Sequence, residues 1–308
     1  MATETLDVVL HPAHPAGVKE AISAVPGIRV IAPATDAEVI VALRSAEILI
    51  TTSWSDTYLG DGLRWIQSQS AGYEHFPIGT LRRRGITLTS ASGVHIVCAE
   101  HAIGMLLTLT RDIRDSVVDM TARSWNTHVA EEVAGRTVAV LGLGAIGEAI
   151  ARRLVNWEVR LIGVTRSPTH YSGVLSDVRP LTALRDACAE ASILMVALPA
   201  APETRHIVSS EALDALGTGW VINVSRGSVV DEPGLVERLQ DGRLRGAGLD
   251  VTEEEPLPLM SPLWGLRNVV ITPHMAGLTP RYGERLAEIF AANVSAYRGE
   301  GAWLNRVT

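Results

Sequence analysis

Short runs of apolar residues alternate with helical patterns along most of this 308-residue chain. In the first part of the chain, five runs cover residues 6–10, 28–32, 47–51, 63–68 and 86–90. A second series covers residues 137–141, 160–164, 193–198, 220–224, 246–250 and 269–273. Strands that alternate with helices form βαβ units and a mainly parallel sheet. The pattern therefore predicts an α/β protein with two domains, each built on its own parallel sheet.

Two longer helical stretches mark the places where the chain is expected to pass between the domains. Residues 99–125 carry apolar side chains at three-to-four spacing and contain no proline, which predicts one long helix. Near the end of the chain, Thr279 and Pro280 have the types expected of an N-cap and a first helical residue. They predict a helix that continues to about Arg298.

The second series of strands opens with a glycine-rich loop. Gly142, Gly144 and Gly147 have the spacing G-x-G-x-x-G, which by itself also occurs in plain turns. Here an apolar strand leads directly into the loop and a helical pattern follows it, which is the context of a dinucleotide-binding loop. The helix N-terminus offers unpaired N–H groups to the pyrophosphate. We therefore expect the loop, with Ala145 and Ile146, to bind a nicotinamide dinucleotide.

The end of the next strand carries the information on cofactor choice. An enzyme that uses NAD places Asp or Glu there to bind the ribose 2′-hydroxyl. This chain has Thr165, Arg166 and Ser167, and no acidic residue lies between Glu158 and Asp177. Arginine and hydroxyl groups can bind a 2′-phosphate, which favours NADP over NAD. NAD remains the alternative if Arg166 is only a solvated loop residue.

Charged residues follow three later strands of the same series. Arg226 comes after residues 220–224, Asp250 and Glu255 come at and after the end of 246–250, and His274 follows 269–273. Each residue alone is typical of a surface charge or a turn. Parallel strands end at a common edge, where open α/β sheets bind ligands. We therefore expect these side chains to lie close together.

Their types suit hydride transfer between a nicotinamide and a 2-hydroxy or 2-oxo acid. His274 can move the hydroxyl proton near neutral pH, and Glu255 can orient the imidazole and stabilise its protonated form. Arg226 can bind the substrate carboxylate in a planar fork and polarise the 2-oxo group. Asp250, at the sheet edge, is expected to contact the cofactor rather than to transfer protons.

Five segments of the chain resemble one known family, the D-isomer-specific 2-hydroxyacid dehydrogenases of the glyoxylate/hydroxypyruvate reductase type. They are VLGLGAIGEAIA, LPAAPETRHIVSSEAL, VINVSRGSVVDEPGLVERL, GRLRGAGLDVTEEEPLP and ITPHMAG. The part before residue 99 matches more loosely, through WIQSQSAGYEHF and TLTSASGVHIVCAEHAIGMLL. Ala200, Ala201 and Met275 depart from the usual pattern, which bears on cofactor contacts and not on the acid–base pair.

The resemblance implies the details that spacing alone does not provide. It implies two doubly wound parallel-sheet domains with a cleft between them: a Rossmann nucleotide-binding domain of residues 99–278 and a flavodoxin-like substrate domain of residues 1–98 and 279–308. It implies Arg226, Glu255 and His274 as catalytic residues, with the backbone of Ala71, Gly72 and Tyr73 binding the substrate together with Arg226 and His274. It also implies a homodimer. Further residues expected to contact the cofactor are Pro199, Val224, Ser225, Arg226, Asp250, His274 and Gly277.

Composition argues against several other classes of protein and site. The net charge is −7 and aromatic residues make up 5% of the chain, so neither an electrostatic grip on nucleic acid nor a base-stacking surface is expected. The only lysine is Lys19, which argues against a Walker-type phosphate loop and a Schiff base. No metal site, signal peptide or membrane span is expected, and two cysteines suit a reducing, cytoplasmic setting.

An NADP- or NAD-dependent 2-oxo acid reductase is therefore the predicted function. The alternative is a dinucleotide-sensing interaction protein, because corepressors share this fold. The presence of Arg226, Glu255 and His274 together favours the enzyme, since a sensor has no need of a complete acid–base set.

Overall fold

The structure is a computed structural model that describes residues 5–308. Residues 1–4 lie outside the described residues; they are part of the N-terminal stretch in which no signal peptide is expected. The chain forms two compact units. One unit runs up to His95 and resumes over Gly277–Thr308, and the other is Ile96–Ala276. We call them the N-terminal unit and the central unit; their assignment to substrate and cofactor binding stays a prediction.

The N-terminal unit contains a five-stranded parallel sheet. Its order is β2-β1-β3-β4-β5, which is the flavodoxin-like order. The strands are β1 (Leu6–Leu10), β2 (Ile28–Ile31), β3 (Ile48–Thr51), β4 (Trp65–Ser68) and β5 (Thr87–Thr89). The helices of this unit are α1 (Val18–Ser23), α2 (Asp36–Ala42), α3 (Ile78–Arg84) and α10 (Tyr282–Tyr297).

The central unit contains a seven-stranded parallel sheet in the order β12-β11-β10-β9-β6-β7-β8. The strand order reverses between β6 and β9, as in a Rossmann fold. The strands are β6 (Thr137–Leu141), β7 (Arg160–Thr165), β8 (Val178–Pro180), β9 (Ile193–Val196), β10 (Trp220–Asn223), β11 (Gly246–Leu249) and β12 (Val269–Ile271). The helices are α4 (Cys98–Thr110), α5 (Ile113–Thr121), α6 (Ala145–Leu154), α7 (Leu184–Glu190), α8 (Ser210–Leu216) and α9 (Glu232–Gln240). The predicted fold class, two doubly wound parallel sheets, is confirmed.

Apolar side chains cover both faces of each sheet, as parallel sheets require. In the N-terminal unit, Val8 and Leu10 pack in one cluster with Phe290 of α10, while Val9 packs on the opposite face in another. In the central unit, β6 likewise alternates between two buried clusters. None of the helices in residues 5–308 is long and apolar enough to cross a membrane.

Two local predictions are wrong, and one strand was not predicted. The helix predicted over residues 99–125 is two helices, because Asp112 adopts a left-handed backbone with φ 51° that separates α4 from α5. Helix α10 begins at Tyr282, because Thr279 accepts a turn hydrogen bond from the Tyr282 N–H (3.0 Å) before the helix starts. Strand β8 was not predicted, because its three residues include an arginine and a proline and are too short to show a pattern.

Candidate active site

The glycine-rich loop at the end of β6 has the close approaches that its sequence predicts. Gly142 has φ +90°, and a Cβ there would lie 2.7 Å from the carbonyl oxygen of Ala197. A Cβ on Gly147 would lie 1.8 Å from the carbonyl oxygen of Gly142, so only glycine permits this packing of helix on loop. Gly144 is the N-cap of α6, and no atom lies within 4 Å of its Cβ position. The loop therefore leaves open backbone at a helix N-terminus, which fits a dinucleotide pyrophosphate.

A cavity of about 450 Å³ opens beside this loop in the central unit. Two of the three residues predicted to contact the 2′ position, Thr165 and Ser167, line it. The lining residues that the sequence did not predict are Leu143, Glu148, Arg152, His170, Tyr171, Ser172 and Gly173. The four-residue spacing of Glu148 and Arg152 on α6 was the one available signal.

The cavity contains a carboxylate whose charge is compensated. Glu148 accepts a hydrogen bond from the Tyr171 hydroxyl (2.5 Å), and its other oxygen lies 2.8 Å from Arg152 Nε. Burial, followed by the hydrogen bond to Glu148, raises the pKa of Tyr171, so the phenol remains a donor. Arg166 does not line this cavity; its guanidinium forms an exposed ion pair with Glu203 at 3.2 Å.

Arg226 lies in a turn that a buried asparagine organises. Asn223 ends β10 and is 1% exposed. Its side-chain oxygen accepts hydrogen bonds from the Ser225 backbone N–H (3.0 Å) and hydroxyl (2.8 Å), and its amide nitrogen donates to the Arg226 carbonyl (3.0 Å). The half-buried Arg226 donates from Nη1 to the Ser225 carbonyl at 2.7 Å. These bonds fix the backbone that carries the predicted substrate anchor.

Asp250 is 3% exposed and forms the centre of a hydrogen-bond network. Its carboxylate accepts from the Thr272 hydroxyl (2.5 Å) and from the backbone N–H groups of Met275 (2.9 Å) and Ala276 (3.0 Å). His101 of α4 bonds to the same Thr272 hydroxyl at 2.9 Å. Asp250 thus holds the segment that contains His274. Its predicted contact with the cofactor stays a prediction.

His274 and Glu255 form a hydrogen-bonded pair. Glu255 Oε2 lies 2.7 Å from His274 Nδ1, and Glu255 Oε1 accepts from the Thr252 N–H at 3.2 Å. Because an ionised carboxylate only accepts hydrogen bonds, His274 Nδ1 carries a proton. The imidazole is 48% exposed, and no residue in the described range 5–308 bonds to its Nε2. The pair can therefore present a ring nitrogen to a ligand.

The residues whose backbone is predicted to bind the substrate belong to the N-terminal unit. Ala71, Gly72 and Tyr73 follow β4, and the Ser70 hydroxyl donates to the Gly72 carbonyl at 3.0 Å. Gly277 also belongs to this unit. Arg226, Asp250, Glu255, His274 and the glycine-rich loop all belong to the central unit. The structure thus brings the acid–base pair and the cofactor loop into one unit, and the contact of residues 71–73 with substrate stays a prediction.

The cysteines carry no sign of nucleophilic chemistry. Burial raises the pKa of the Cys98 thiol to about 12, and burial does the same for Cys188. Thiols with such a pKa are protonated near neutral pH and are poor nucleophiles. Among residues 5–308, no group of three or more His, Cys, Asp or Glu side chains could hold a metal ion.

The fold and the site together define a class of protein, an oxidoreductase that uses a nicotinamide dinucleotide. Residues 103–276 match the model of the D-isomer specific 2-hydroxyacid dehydrogenase, NAD binding domain. Glyoxylate reductase from Thermofilum pendens is 33% identical over 77% of this chain and 73% of its own. A glyoxylate/hydroxypyruvate reductase from Arabidopsis thaliana is 34% identical over 86% of this chain and 77% of its own.

A solved structure supports the same relationship. The NADPH-dependent glyoxylate/hydroxypyruvate reductase from Sinorhizobium meliloti, in complex with NADP and malonate, superposes with a TM-score of 0.83 at 27% identity, over 99% of this chain and 97% of its own. The chain belongs to the D-isomer specific 2-hydroxyacid dehydrogenase family. It transfers a hydride between a nicotinamide dinucleotide and a 2-oxo or 2-hydroxy acid.

Proposed function

We propose that the protein is an NADPH-dependent reductase of small 2-oxo acids of the glyoxylate/hydroxypyruvate type. In this proposal His274 and Glu255 are the acid–base pair and Arg226 binds the substrate carboxylate. The observation that carries it is the 2.7 Å contact between His274 Nδ1 and Glu255 Oε2. The names of the relatives from Thermofilum pendens and Arabidopsis thaliana support the substrate class.

A nicotinamide dinucleotide held by the glycine-rich loop would supply the hydride for the carbonyl carbon of the 2-oxo acid. The protonated His274 donates the Nε2 proton to the carbonyl oxygen, since Nδ1 is occupied by Glu255. The Glu255 carboxylate stabilises the imidazolium before transfer and keeps the ring oriented afterwards. The Arg226 guanidinium binds the substrate carboxylate and polarises the adjacent carbonyl. In the reverse direction, His274 removes the hydroxyl proton.

The substitution His274→Gln tests the role of the histidine. It roughly preserves size and removes the acid, so we expect turnover to fall by about 10²-fold or more. Binding of NADPH, measured by quenching of protein fluorescence, should remain. His14→Gln, the same change in the N-terminal unit, is the control and should leave turnover unchanged. If His274→Gln kept near-wild-type turnover, His274 would have no part in the reaction.

The cavity residues support NADPH as the preferred cofactor. Thr165 and Ser167 line the cavity with hydroxyl donors, and the charge of Glu148 there is compensated by Arg152. The ion pair between Arg166 and Glu203 is exposed, and such pairs contribute about 0–1 kcal/mol. A charge-assisted hydrogen bond from Arg166 to a 2′-phosphate is worth about 1.5–3 kcal/mol. Arg166 can therefore exchange Glu203 for the phosphate.

The ratio of kcat/KM for NADPH to that for NADH tests this preference. We expect a ratio of about 10 to 100, from the energy of one charge-assisted hydrogen bond. The double substitution of Thr165→Asp with Arg166→Ala should reverse the preference. Equal efficiency with both cofactors in the unmutated protein would contradict it and would leave the assignment of His274 and Glu255 untouched.

Activity assays with a panel of 2-oxo acids test the substrate class. We expect glyoxylate and hydroxypyruvate to be reduced more efficiently than 2-oxo acids with long or branched side chains. Lack of turnover with every 2-oxo acid, combined with tight NADPH binding, would favour the dinucleotide-sensing alternative over the enzyme.

We also propose that the protein is a homodimer that uses helix α5 and the residues after it. No residue of α5 is buried, and its Val117 and Met120 are 50% and 69% exposed. Trp125 and Val129, which follow, are 100% and 96% exposed. Exposed apolar surface of this kind marks protein–protein contacts.

Sedimentation equilibrium tests the dimer. The wild type should have twice the mass of the chain, and Val117→Glu with Met120→Glu should produce monomers. Val41→Glu, at a 58% exposed apolar position of α2, is the control and should remain dimeric. A wild-type protein with the mass of one chain at micromolar concentration would refute the proposal.

A further inference from the structure

The segment Thr252–Glu255 lies between the turn that carries Arg226 and the residue His274. It begins shortly after β11 ends at Leu249, and its last residue, Glu255, is the hydrogen-bond partner of His274. On one side it lies directly against Gly227, the neighbour of Arg226, where a Cβ would be 1.9 Å from the carbonyl carbon of Thr252. A displacement of this segment would therefore move Glu255 away from His274 or press on the turn that carries Arg226.

A carboxylate from another element holds the backbone of this segment. Glu232, the first residue of α9, accepts a hydrogen bond from the Glu253 N–H at 2.7 Å. Burial, followed by the nearby charges of Glu253 and Glu254, raises the pKa of Glu232. A half-buried acid that gains no cation as a partner is costly to retain. Within residues 5–308, the one hydrogen bond of its side chain is to the segment that carries Glu255.

The side chain of Glu253 binds the segment to a third element. Its Oε1 accepts from the Arg205 guanidinium and lies 3.0 Å from His206 Nε2. His206 is held in turn, since its backbone N–H donates to the Ser228 carbonyl at 2.8 Å. Inside the segment, the Thr252 hydroxyl donates to the Glu254 carbonyl at 2.8 Å. The backbone that presents Glu255 is thus fixed from α9 and from residues 205–206.

We propose that Glu232 and Glu253 are positioning residues, which hold the Thr252–Glu255 segment so that the Glu255 carboxylate stays on His274 Nδ1. Neither touches substrate or cofactor in this role. The inference rests on the proposed function, because it presumes that the pair of Glu255 and His274 carries the proton transfer. In this role Glu232 and Glu253 affect the reaction only because they hold the carboxylate of Glu255 in place.

The first experiment compares three substitutions of neighbouring acids. Glu232→Ala removes the acceptor, and we expect kcat to fall about 10-fold or more, because small misplacements of reacting groups cost rate steeply. The Kd for NADPH should be unchanged. Glu232→Gln keeps an oxygen acceptor for the Glu253 N–H and should restore kcat to near the wild-type value. Glu254→Ala is the control, because it removes an equal charge from the Thr252–Glu255 segment itself without removing the Glu232 acceptor, and it should leave kcat unchanged.

The split between kcat and KM separates positioning from general stability. Because a displaced Glu255 affects proton transfer and not the residues proposed to bind the substrate, Glu232→Ala should lower kcat and kcat/KM for the 2-oxo acid by the same factor and leave KM unchanged. A variant that lowered Tm but left kcat in place would overturn the proposal.

A double-mutant cycle tests the second contact. Glu253→Ala and Arg205→Met should each lower kcat, and the double variant should be no slower than Glu253→Ala alone, because both remove one interaction. Additive losses would overturn the role of that contact. Two different outcomes separate failure of the proposed function from failure of the positioning role. An active His274→Gln would refute the proposed function, whereas inactive His274→Gln with fully active Glu232→Ala and Glu253→Ala would refute the positioning role only.

Discussion

The carboxyl edges of the two sheets are built differently. At the edge of the central sheet, Asn223, Asp250 and Glu255 each accept hydrogen bonds from nearby backbone or side-chain groups. Beyond β4 in the N-terminal sheet, Gln69 is fully buried, yet neither polar atom of its side chain has a hydrogen-bond partner within residues 5–308. Gln67, two residues earlier on β4, is buried and fully bonded.

The difference separates an edge whose polar side chains are interlocked by hydrogen bonds from one that keeps a buried amide without partners in residues 5–308. Proton transfer requires that donor and acceptor keep one geometry, and interlocked hydrogen bonds provide it. The segment after β4 is held mainly by serine hydroxyls, such as Ser70 on the Gly72 carbonyl at 3.0 Å. The contact of this segment with the substrate, which the resemblance implies, stays a prediction. Four experiments test this comparison.

The largest expected effect is on catalysis at the central edge. Arg226→Lys keeps the charge and loses the planar fork, so kcat/KM for a 2-oxo acid should fall by about 10²-fold or more. Steady-state kinetics with NADPH measure it. Arg185→Lys, at a 72% exposed side chain, is the control and should have no effect. Unchanged efficiency of Arg226→Lys would mean that Arg226 does not anchor the substrate.

The next effect is on stability at the same edge. Asp250→Ala leaves the Thr272 hydroxyl and two backbone N–H groups without their acceptor. We expect the free energy of unfolding to fall by about 2–4 kcal/mol, measured by denaturant titration. The exposed Asp61→Ala should change it by less than about 0.5 kcal/mol. Equal losses for the two variants would show that the network around Asp250 does not stabilise the fold.

Substitution of the two glutamines at the N-terminal edge should change the free energy of unfolding in opposite directions. Gln67→Met removes bonds to the Ser68 carbonyl (2.8 Å), the Thr89 hydroxyl (2.9 Å) and Asn293 (3.1 Å), and should lower the free energy of unfolding by about 1–3 kcal/mol. Gln69→Met replaces a buried amide that has no such bonds and should raise it by about 1 kcal/mol. Equal destabilisation by both substitutions would mean that the Gln69 amide has hydrogen-bond partners in solution, for example bound water.

The smallest effect compares the outer edges of the sheets. Arg179 bridges Asp177 (2.8 Å) and Glu190 (2.7 Å), and hydrogen bonds from Arg179 and Arg160 lower the pKa of both carboxylates. Carboxylates with a lowered folded-state pKa stabilise the fold above their unfolded pKa, and the benefit disappears as pH falls through the folded values.

Arg179→Met should therefore lower Tm by about 1–2 °C at pH 7, and the difference should begin to shrink as the pH falls below about 4. Arg29→Met, which removes the exposed pair with Asp7, is the comparison in the N-terminal sheet and should change Tm less. A difference for Arg179→Met that did not shrink as the pH fell would point to lost packing rather than lost charge pairing.

Features with a local pattern were determined by the sequence alone. The alternation of apolar runs with helical patterns was sufficient for two parallel sheets, because burial on both faces leaves continuous apolar strands. The spacing of Gly142, Gly144 and Gly147 was sufficient for the cofactor loop, since close approaches at Gly142 and Gly147 exclude a side chain. The contact of His274 with Glu255 followed from a general rule, that parallel strands end at one edge.

Partnerships between distant residues were decided only by the tertiary structure. The groups that donate hydrogen bonds to the Asp250 carboxylate lie 22–26 residues further along, and His101 bonds to one of them, Thr272, across 171 residues. Glu148 enters the cavity beside the end of β7 because Tyr171, 23 residues later, folds back to bond it. Arg166 is paired with Glu203, 37 residues away, and so stands outside the cavity that its position suggested. No local pattern encodes such pairs, because which side chains meet depends on how whole strands and helices pack.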